Sequence, residues 1–138
     1  MKYVVRYLSK SGNTKKVAEA IANELKINAE TIDNDIDNVD ILFLGSAMYA
    51  FMLPGEIKKF IKGLDSNKVK KVVVFSTTAS SLKVHGKISK LLKKKGIECL
   101  EDNYYCPGAF SESNVGRPNE EDLKRAKEFA RNIVGEVK

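Results

Sequence analysis

The sequence predicts an α/β domain built on a five-stranded parallel sheet with helices packed against it. Two observations carry this. Apolar runs that read as strands alternate with amphipathic helical stretches along the whole 138 residues, and that alternation implies right-handed crossovers between parallel strands. Small polar residues also stand where three of the strands stop, at 9–14, 46–49 and 76–79. In a doubly wound sheet such positions lie beyond the carboxyl ends of the strands, where ligands bind.

Residues 3–8 read as the first strand. Val17, Ile21, Ala22 and Leu25 recur at helical spacing, so 14–26 reads as a helix. Residues 27–32 read as a short strand, and 34–38 as a polar link too short for a full helix. The apolar run 41–44, ending at Gly45, reads as a strand covered on both faces. Pro54 suits a helix first turn, and Ile57, Phe60, Ile61 and Leu64 give that helix an apolar side. Residues 72–75 form another fully apolar strand. A helix over 82–95 follows, with Val84, Ile88, Leu91 and Leu92 on one side, Lys83, Lys87, Lys90 and Lys94 on another, and Gly96 as a left-handed cap. Residues 97–105 read as the last strand. Pro118 to Asp122 carry a helix start signal, and Leu123, Ala126, Phe129, Ala130 and Ile133 continue the final helix. Residues 1–138 are expected to form one domain.

Composition excludes several classes. The chain is 43% apolar and long enough for a core without covalent staples. Cys99 and Cys106 are too few for a disulfide framework and lack metal-site spacing. One histidine, His85, builds neither a zinc site nor a triad. No stretch approaches the roughly 20 apolar residues of a membrane span. The chain enters its first strand after Met1 and Lys2 with no signal-like segment, so a cytoplasmic location is expected. The net charge of +6 is unevenly spread. Residues 57–95 hold twelve lysines and one acid, Asp65, whereas 27–57 hold six acids and no lysine or arginine. A run of one charge is ordinarily a solvated face.

The most informative stretch is Ser9-Lys10-Ser11-Gly12-Asn13-Thr14, between the first strand and the first helix. Three hydroxyls, a glycine, an amide and the positive end of a helix dipole surround one small volume that suits a phosphate. The same residue types are also ordinary for a turn and N-cap. The spacing is neither that of a nucleoside-triphosphate P-loop nor that of Gly-x-Gly-x-x-Gly.

This turn resembles the phosphate loop of flavodoxins, Thr/Ser-x-Thr/Ser-Gly-x-Thr. Together with Gly45-Ser46-Ala47-Met48-Tyr49, Leu53-Pro54 and Phe75-Ser76-Thr77, it makes nearly the whole chain resemble a short-chain flavodoxin or flavodoxin-like protein. The tail Cys106-Pro107-Gly108 with Gly116-Arg117-Pro118-Asn119-Glu120-Glu121-Asp122-Leu123 is similar to a C-terminal pattern of uncharacterised members. The resemblance implies strand order 2-1-3-4-5, noncovalent FMN and electron transfer between redox partners. It implies that Ser9, Lys10, Ser11, Gly12, Asn13 and Thr14 hold the phosphate. Ser46, Ala47, Met48 and Tyr49 then run along the ribityl chain and one side of the ring, and Ser76, Thr77, Thr78 and Ala79 meet its pyrimidine end. The chain departs from the family in having no tryptophan, which leaves Tyr49 or Phe51 to stack on the ring, and in being basic where electron-carrier flavodoxins are usually acidic.

A receiver domain shares the fold but needs acids where Leu8-Ser9 and Gly45-Ser46 stand. An FMN-dependent quinone or protoporphyrinogen reductase is the main alternative, through the resemblance of 45–49. A nucleic-acid or anionic-surface binder is a remote one, since the basic segment has no arginine. No side chain is assigned a catalytic or metal-binding role. Cys106 reads as a buried inert thiol and His85 as a polar residue in its helix's first turn. The helices near 56–62 and 82–95 should share one side of the sheet and join their lysines into a face for acidic redox partner proteins.

Overall fold

The computed structural model describes residues 1–49, 52–78, 84–109 and 114–137. The elements in chain order are β1 (Tyr3–Tyr7), α1 (Asn13–Leu25), β2 (Ala29–Thr31), β3 (Val39–Ser46), α2 (Gly55–Lys62), β4 (Val69–Thr78), α3 (His85–Lys94), β5 (Glu98–Pro107) and α4 (Glu120–Val137). The strands form one sheet in the order β2-β1-β3-β4-β5, with the four pairings parallel. This is the order that the family resemblance implies.

Side-chain alternation divides the sheet into two faces. Val5, Tyr7, Ile41, Phe43, Val73 and Phe75 pack with Val17 and Ile21 of α1 and Ala126, Ala130 and Ile133 of α4. Leu42, Leu44, Val72 and Val74 pack on the other face with Ile57 and Ile61 of α2 and Ile88 and Leu92 of α3. The pairing of α2 and α3 on one face is the arrangement expected from right-handed crossovers. The central strands β3 and β4 are covered on both sides, which explains their unbroken apolar runs.

Two strands are longer than their apolar runs. β3 continues through Gly45 to Ser46, and β4 spans ten residues from Val69 to Thr78. Gly45 stays in the strand because Phe75, its partner across the β3–β4 ladder, occupies the space of a side chain there. A Cβ on Gly45 would lie 2.1 Å from the Phe75 ring. Ser46, Ser76, Thr77 and Thr78 remain in the ladder because each pairs with a residue on a neighbouring strand.

The link between β2 and β3 crosses β1 without a helix. Beneath it the buried Arg6 donates from Nε to the Asn34 carbonyl (3.3 Å) and from Nη2 to the Asp35 carbonyl (3.0 Å). A cleft of about 870 Å³ opens between this link and α2, walled by Ile32, Ile36, Phe60 and Leu64 and rimmed by Asp33, Asp35 and Asp37.

Candidate functional site

The crevice at the carboxyl edge of the sheet is built first from the turn between β1 and α1. Gly12, the N-cap of α1, has φ +92°, a left-handed conformation that suits glycine. Its N–H donates to Ser9 Oγ at 3.0 Å, which closes the turn. The first helical bond runs from Lys16 N–H to the Gly12 carbonyl. No side chain caps α1, and its first turn holds no acid. The amides at the start of an uncapped helix are therefore directed at the mouth of the turn, where Lys10 and Ser11 are exposed and Ser9 is partly so.

The last two residues of the motif face inward. Asn13 donates from Nδ2 to the Ala109 carbonyl at 2.9 Å, so its side chain ties α1 to the segment beyond β5. Gly108 permits this approach, because a Cβ there would lie 2.9 Å from Asn13 Nδ2. Thr14 is 1% exposed, and its hydroxyl shares a 2.7 Å hydrogen bond with the Thr77 hydroxyl. The motif thus splits into an open half, 9–12, and an anchoring half, 13–14.

The second wall is the segment after β3. Ser46 is fully enclosed and bonds through Oγ to the Ala47 carbonyl at 2.9 Å. Ala47 is buried, while Met48 and Tyr49 reach the surface in part. Tyr49 and Met52 exchange both backbone hydrogen bonds at 2.9 Å, an isolated antiparallel bridge. Tyr49 leans toward the first turn: Lys10 N–H donates to its hydroxyl at 3.4 Å, and the Lys10 ammonium lies 5.0 Å from its ring centroid. The end of β4 forms the floor, with Ser76, Thr77 and Thr78 all buried. Ala79, Phe51 and Lys83 lie outside the described residues.

Sequence reasoning missed three partners of this site. Glu56, in the first turn of α2, stands 3.6 Å from Lys10 Nζ and offsets its charge. Its place right after Pro54 and Gly55 was the available signal, since acids favour helix first turns. Ala109, the acceptor for Asn13, carried no signal. The third is the Arg117–Asp122 pair. Arg117 grips the carboxylate with Nε at 2.5 Å and Nη2 at 2.7 Å. Asp122 and Asn119 also exchange side-chain-to-backbone bonds of 2.8 and 2.9 Å, a reciprocal cap on α4. The Arg117 carbonyl in turn accepts Ala109 N–H at 2.9 Å. A chain of contacts therefore runs from the α4 cap through Arg117 and Ala109 to Asn13.

The Arg117 guanidinium holds the Asp122 carboxyl below its ordinary range. Burial is the main reason the Cys106 thiol is pushed up to about 11. Cys106 is 3% exposed, as expected of an inert core thiol. His85 opens α3 and donates from Nε2 to the Leu100 carbonyl at 2.9 Å, with Cys99 Sγ 3.8 Å away. Burial also raises the Cys99 thiol.

Residues 4–117 match the flavodoxin domain family. The chain belongs to the flavodoxin family. An uncharacterised protein of Methanocaldococcus jannaschii is 33% identical over 150 aligned positions that cover 97% of this chain and 99% of that one. Among solved structures, a flavodoxin from the domain Archaea superposes with a TM-score of 0.82 at 21% identity, covering 99% of each chain. The NAD(P)H:quinone oxidoreductase of Methanothermobacter marburgensis superposes with a TM-score of 0.65 at 14% identity, covering 96% of this chain and 98% of that one. These two likenesses are of fold, and the flavodoxin fold thus hosts both a flavodoxin and a quinone oxidoreductase. Among the described residues, no helix of this flavodoxin domain is long and apolar enough to cross a membrane.

Proposed function

We propose that this flavodoxin-family chain binds FMN and carries electrons between redox proteins of the cytoplasm. The observation that supports it best is the uncapped, acid-free start of α1 behind a left-handed Gly12. Such a helix end leaves backbone donors and a partial positive charge without an internal partner, and a phosphate monoester satisfies both.

In this reading the backbone amides of 11–15 and the hydroxyls of Ser9 and Ser11 hold the phosphate. Asn13 and Thr14 act through their anchors on Ala109 and Thr77, keeping the loop in its binding shape. Tyr49, partly exposed beside Lys10, offers an aromatic face for the ring, and Ala47 and Met48 offer apolar contact. Ser46 and Ser76 form the floor beneath. FMN, once bound, supplies the one- and two-electron chemistry. The protein binds, orients and shields it, and no side chain is required as nucleophile or general base.

Titration of the purified chain with FMN tests this directly, followed by flavin absorbance and quenching of flavin fluorescence. Saturation at one FMN per chain in the micromolar range is expected, and no uptake there refutes the reading. Steady oxidation of NADH or NADPH with a quinone at enzyme-like rates would replace the carrier by a reductase of the same fold.

A further inference from the structure

Seven lysines stand exposed on the adjoining helices α2 and α3: Lys58, Lys59, Lys62, Lys87, Lys90, Lys93 and Lys94. Among the described residues none of them forms an ion pair. The opposite face is different. There Lys15 pairs with Glu19, Arg125 with Glu121, and Arg131 of α4 with Glu24 of α1. The one acid on α2 and α3, Glu56, is turned toward Lys10. The lysines of the α2–α3 face are therefore matched by no acid of their own helices, and of them only Lys59 lines the cleft that Asp33, Asp35 and Asp37 rim.

Helix electrostatics account for part of it. Lys59 and Lys62 lie in the last turn of α2, and Lys93 and Lys94 in the last turn of α3, where cations meet the negative end of the helix dipole. That account fails for Lys58, Lys87 and Lys90. Lys87 lies in the first turn of α3, which has no acid and no side-chain cap. A cation at that end is unfavourable for the helix. Lys58 is the fourth residue of α2, and Lys90 is at mid-helix in α3.

Two of these three lysines, Lys58 and Lys87, also share a location. Both helices follow parallel strands, so both begin at the carboxyl edge of the sheet, where the crevice lies. Their far ends are joined by Lys95, whose Nζ donates to the Lys62 carbonyl at 2.8 Å. Lys58 is therefore about 6 Å closer to the crevice edge than Lys62, and Lys87 about 9 Å closer than Lys93, at 1.5 Å per residue. Two of the three lysines that helix stability does not explain, Lys58 and Lys87, thus lie toward the candidate flavin, with Lys90 about 4.5 Å beyond Lys87 along α3.

We propose that Lys58, Lys87 and Lys90 form the docking surface for an acidic electron-transfer protein, steering its redox centre to the crevice edge. Its functional consequence rests on the FMN reading above, but the contact itself does not. A protein is favoured over a nucleic acid because 57–95 contains no arginine, the side chain that grips phosphates and bases by a fork.

The test uses a photoreduced acidic [2Fe–2S] ferredoxin as probe. One electron passes from the reduced cluster to the FMN of the loaded protein, with no covalent bond made or broken. Stopped-flow rates should fall steeply as salt rises from low to physiological strength. The triple variant Lys58→Glu/Lys87→Glu/Lys90→Glu should lose about tenfold or more of the low-salt rate and reverse its salt dependence. The distal triple Lys62→Glu/Lys93→Glu/Lys94→Glu should lose much less. Lys87→Glu supplies the first-turn acid that α3 lacks, so misfolding is not the expected cause of a loss. Equal effects of the two triples, or a rate indifferent to salt, overturn the proposal. Binding of the unloaded protein to oxidised ferredoxin, read by NMR shift perturbation, tests the contact without FMN. Failure of FMN uptake alone therefore sinks the carrier reading and leaves the docking surface standing. Lysine-dependent binding to duplex DNA or to phosphatidylglycerol vesicles, with none to ferredoxin, assigns the face to another class of partner and also overturns the proposal.

Discussion

The hydroxyl oxygens of Thr14 and Thr77 lie 2.7 Å apart in the interior, fastening the first turn of α1 to the carboxyl end of strand β4. Both residues are almost wholly buried, so each hydroxyl depends on the other. Thr77→Val should therefore cost about 1–2 kcal/mol, by leaving the Thr14 hydroxyl without its partner. Thr14→Val/Thr77→Val should lose less than the sum of the single variants. Urea unfolding of all four proteins measures the coupling, and additive losses would show that the two hydroxyls act independently.

Gly12 separates backbone strain from charge. Gly12→Ala places a Cβ on a residue at φ +92° and should destabilise the fold by about 1–2 kcal/mol. Gly12→Asp meets the same strain, but its carboxylate can cap α1, so it should be the more stable of the two variants. FMN affinity should rank the other way, with the aspartate variant weaker than the alanine variant by about tenfold or more, because it sets a negative charge at the proposed phosphate site. Thermal melts and FMN titrations together check both orders. Undiminished affinity in Gly12→Asp would move the phosphate elsewhere.

The Arg117–Asp122 fork makes stability depend on acid. Its guanidinium depresses the folded-state pKa of Asp122 below that of the unfolded chain. The stabilisation is therefore fully present above the ordinary carboxylate range and is lost as pH falls through the depressed value. Asp122→Asn should lose about 2–3 kcal/mol at neutral pH, since it breaks a charge-assisted pair and weakens the cap of α4. The difference between variant and wild type should shrink toward zero between pH 5 and pH 2. Urea midpoints across that range test it, and a constant difference would mean that the carboxylate charge is not what matters.

The potential of bound FMN should be less negative than in acidic flavodoxins, in the couple that ends in the anionic, fully reduced flavin. The segments 9–14, 46–55 and 76–86 contain no carboxylate to oppose that anion. A unit charge ~10 Å away at an effective dielectric of about 40 is worth roughly 0.8 kcal/mol, on the order of 35 mV for one electron. Several missing carboxylates therefore amount to roughly 100 mV. Lys10 adds little to this, because Glu56 stands 3.6 Å from its ammonium. Glu56→Gln frees that charge and should raise the potential by a further few tens of millivolts, roughly the value of one such charge. Potentiometric titration decides it. A potential as negative as that of acidic flavodoxins would mean that apolar burial of the ring outweighs local charge.

What the sequence disclosed was local. The alternation of Val72 to Phe75 with the lysine-bearing helix after it, and the hydroxyl-rich turn before Val17 and Ile21, can be read without knowing what touches what. What it concealed was distant. Ser46, Ser76, Thr77 and Thr78 look like loop residues because they are small and polar, yet they complete two central strands. The polarity of Thr77 is tolerated there because Thr14, 63 positions away, satisfies it, whereas Ser46 bonds to the Ala47 carbonyl beside it. The same distance hid Ala109 from Asn13, 96 positions away, and Glu56 from Lys10. A periodicity argument sees neighbours on one element, whereas these pairs are created by the crossovers.

Arg6 has a consequence for the architecture's capacity to change. Its guanidinium, buried beneath the link, holds the carbonyls of Asn34 and Asp35 and so anchors the crossing on the face of β1 that α1 does not cover. With Lys2, whose Nζ donates to the Asp37 carbonyl at 2.8 Å, it fastens a flank that is otherwise walled by a cleft and an exposed strip of chain. The link runs outside both hydrophobic clusters apart from Ile32 and Ile36, which only lean on one of them. New segments inserted after Asp35 would extend into solvent and toward the cleft, leaving the strand ladder and the crevice as they are. The flank thus works as a socket: an added helix could seat there and give the same core a second surface, on a side apart from the lysines of α2 and α3.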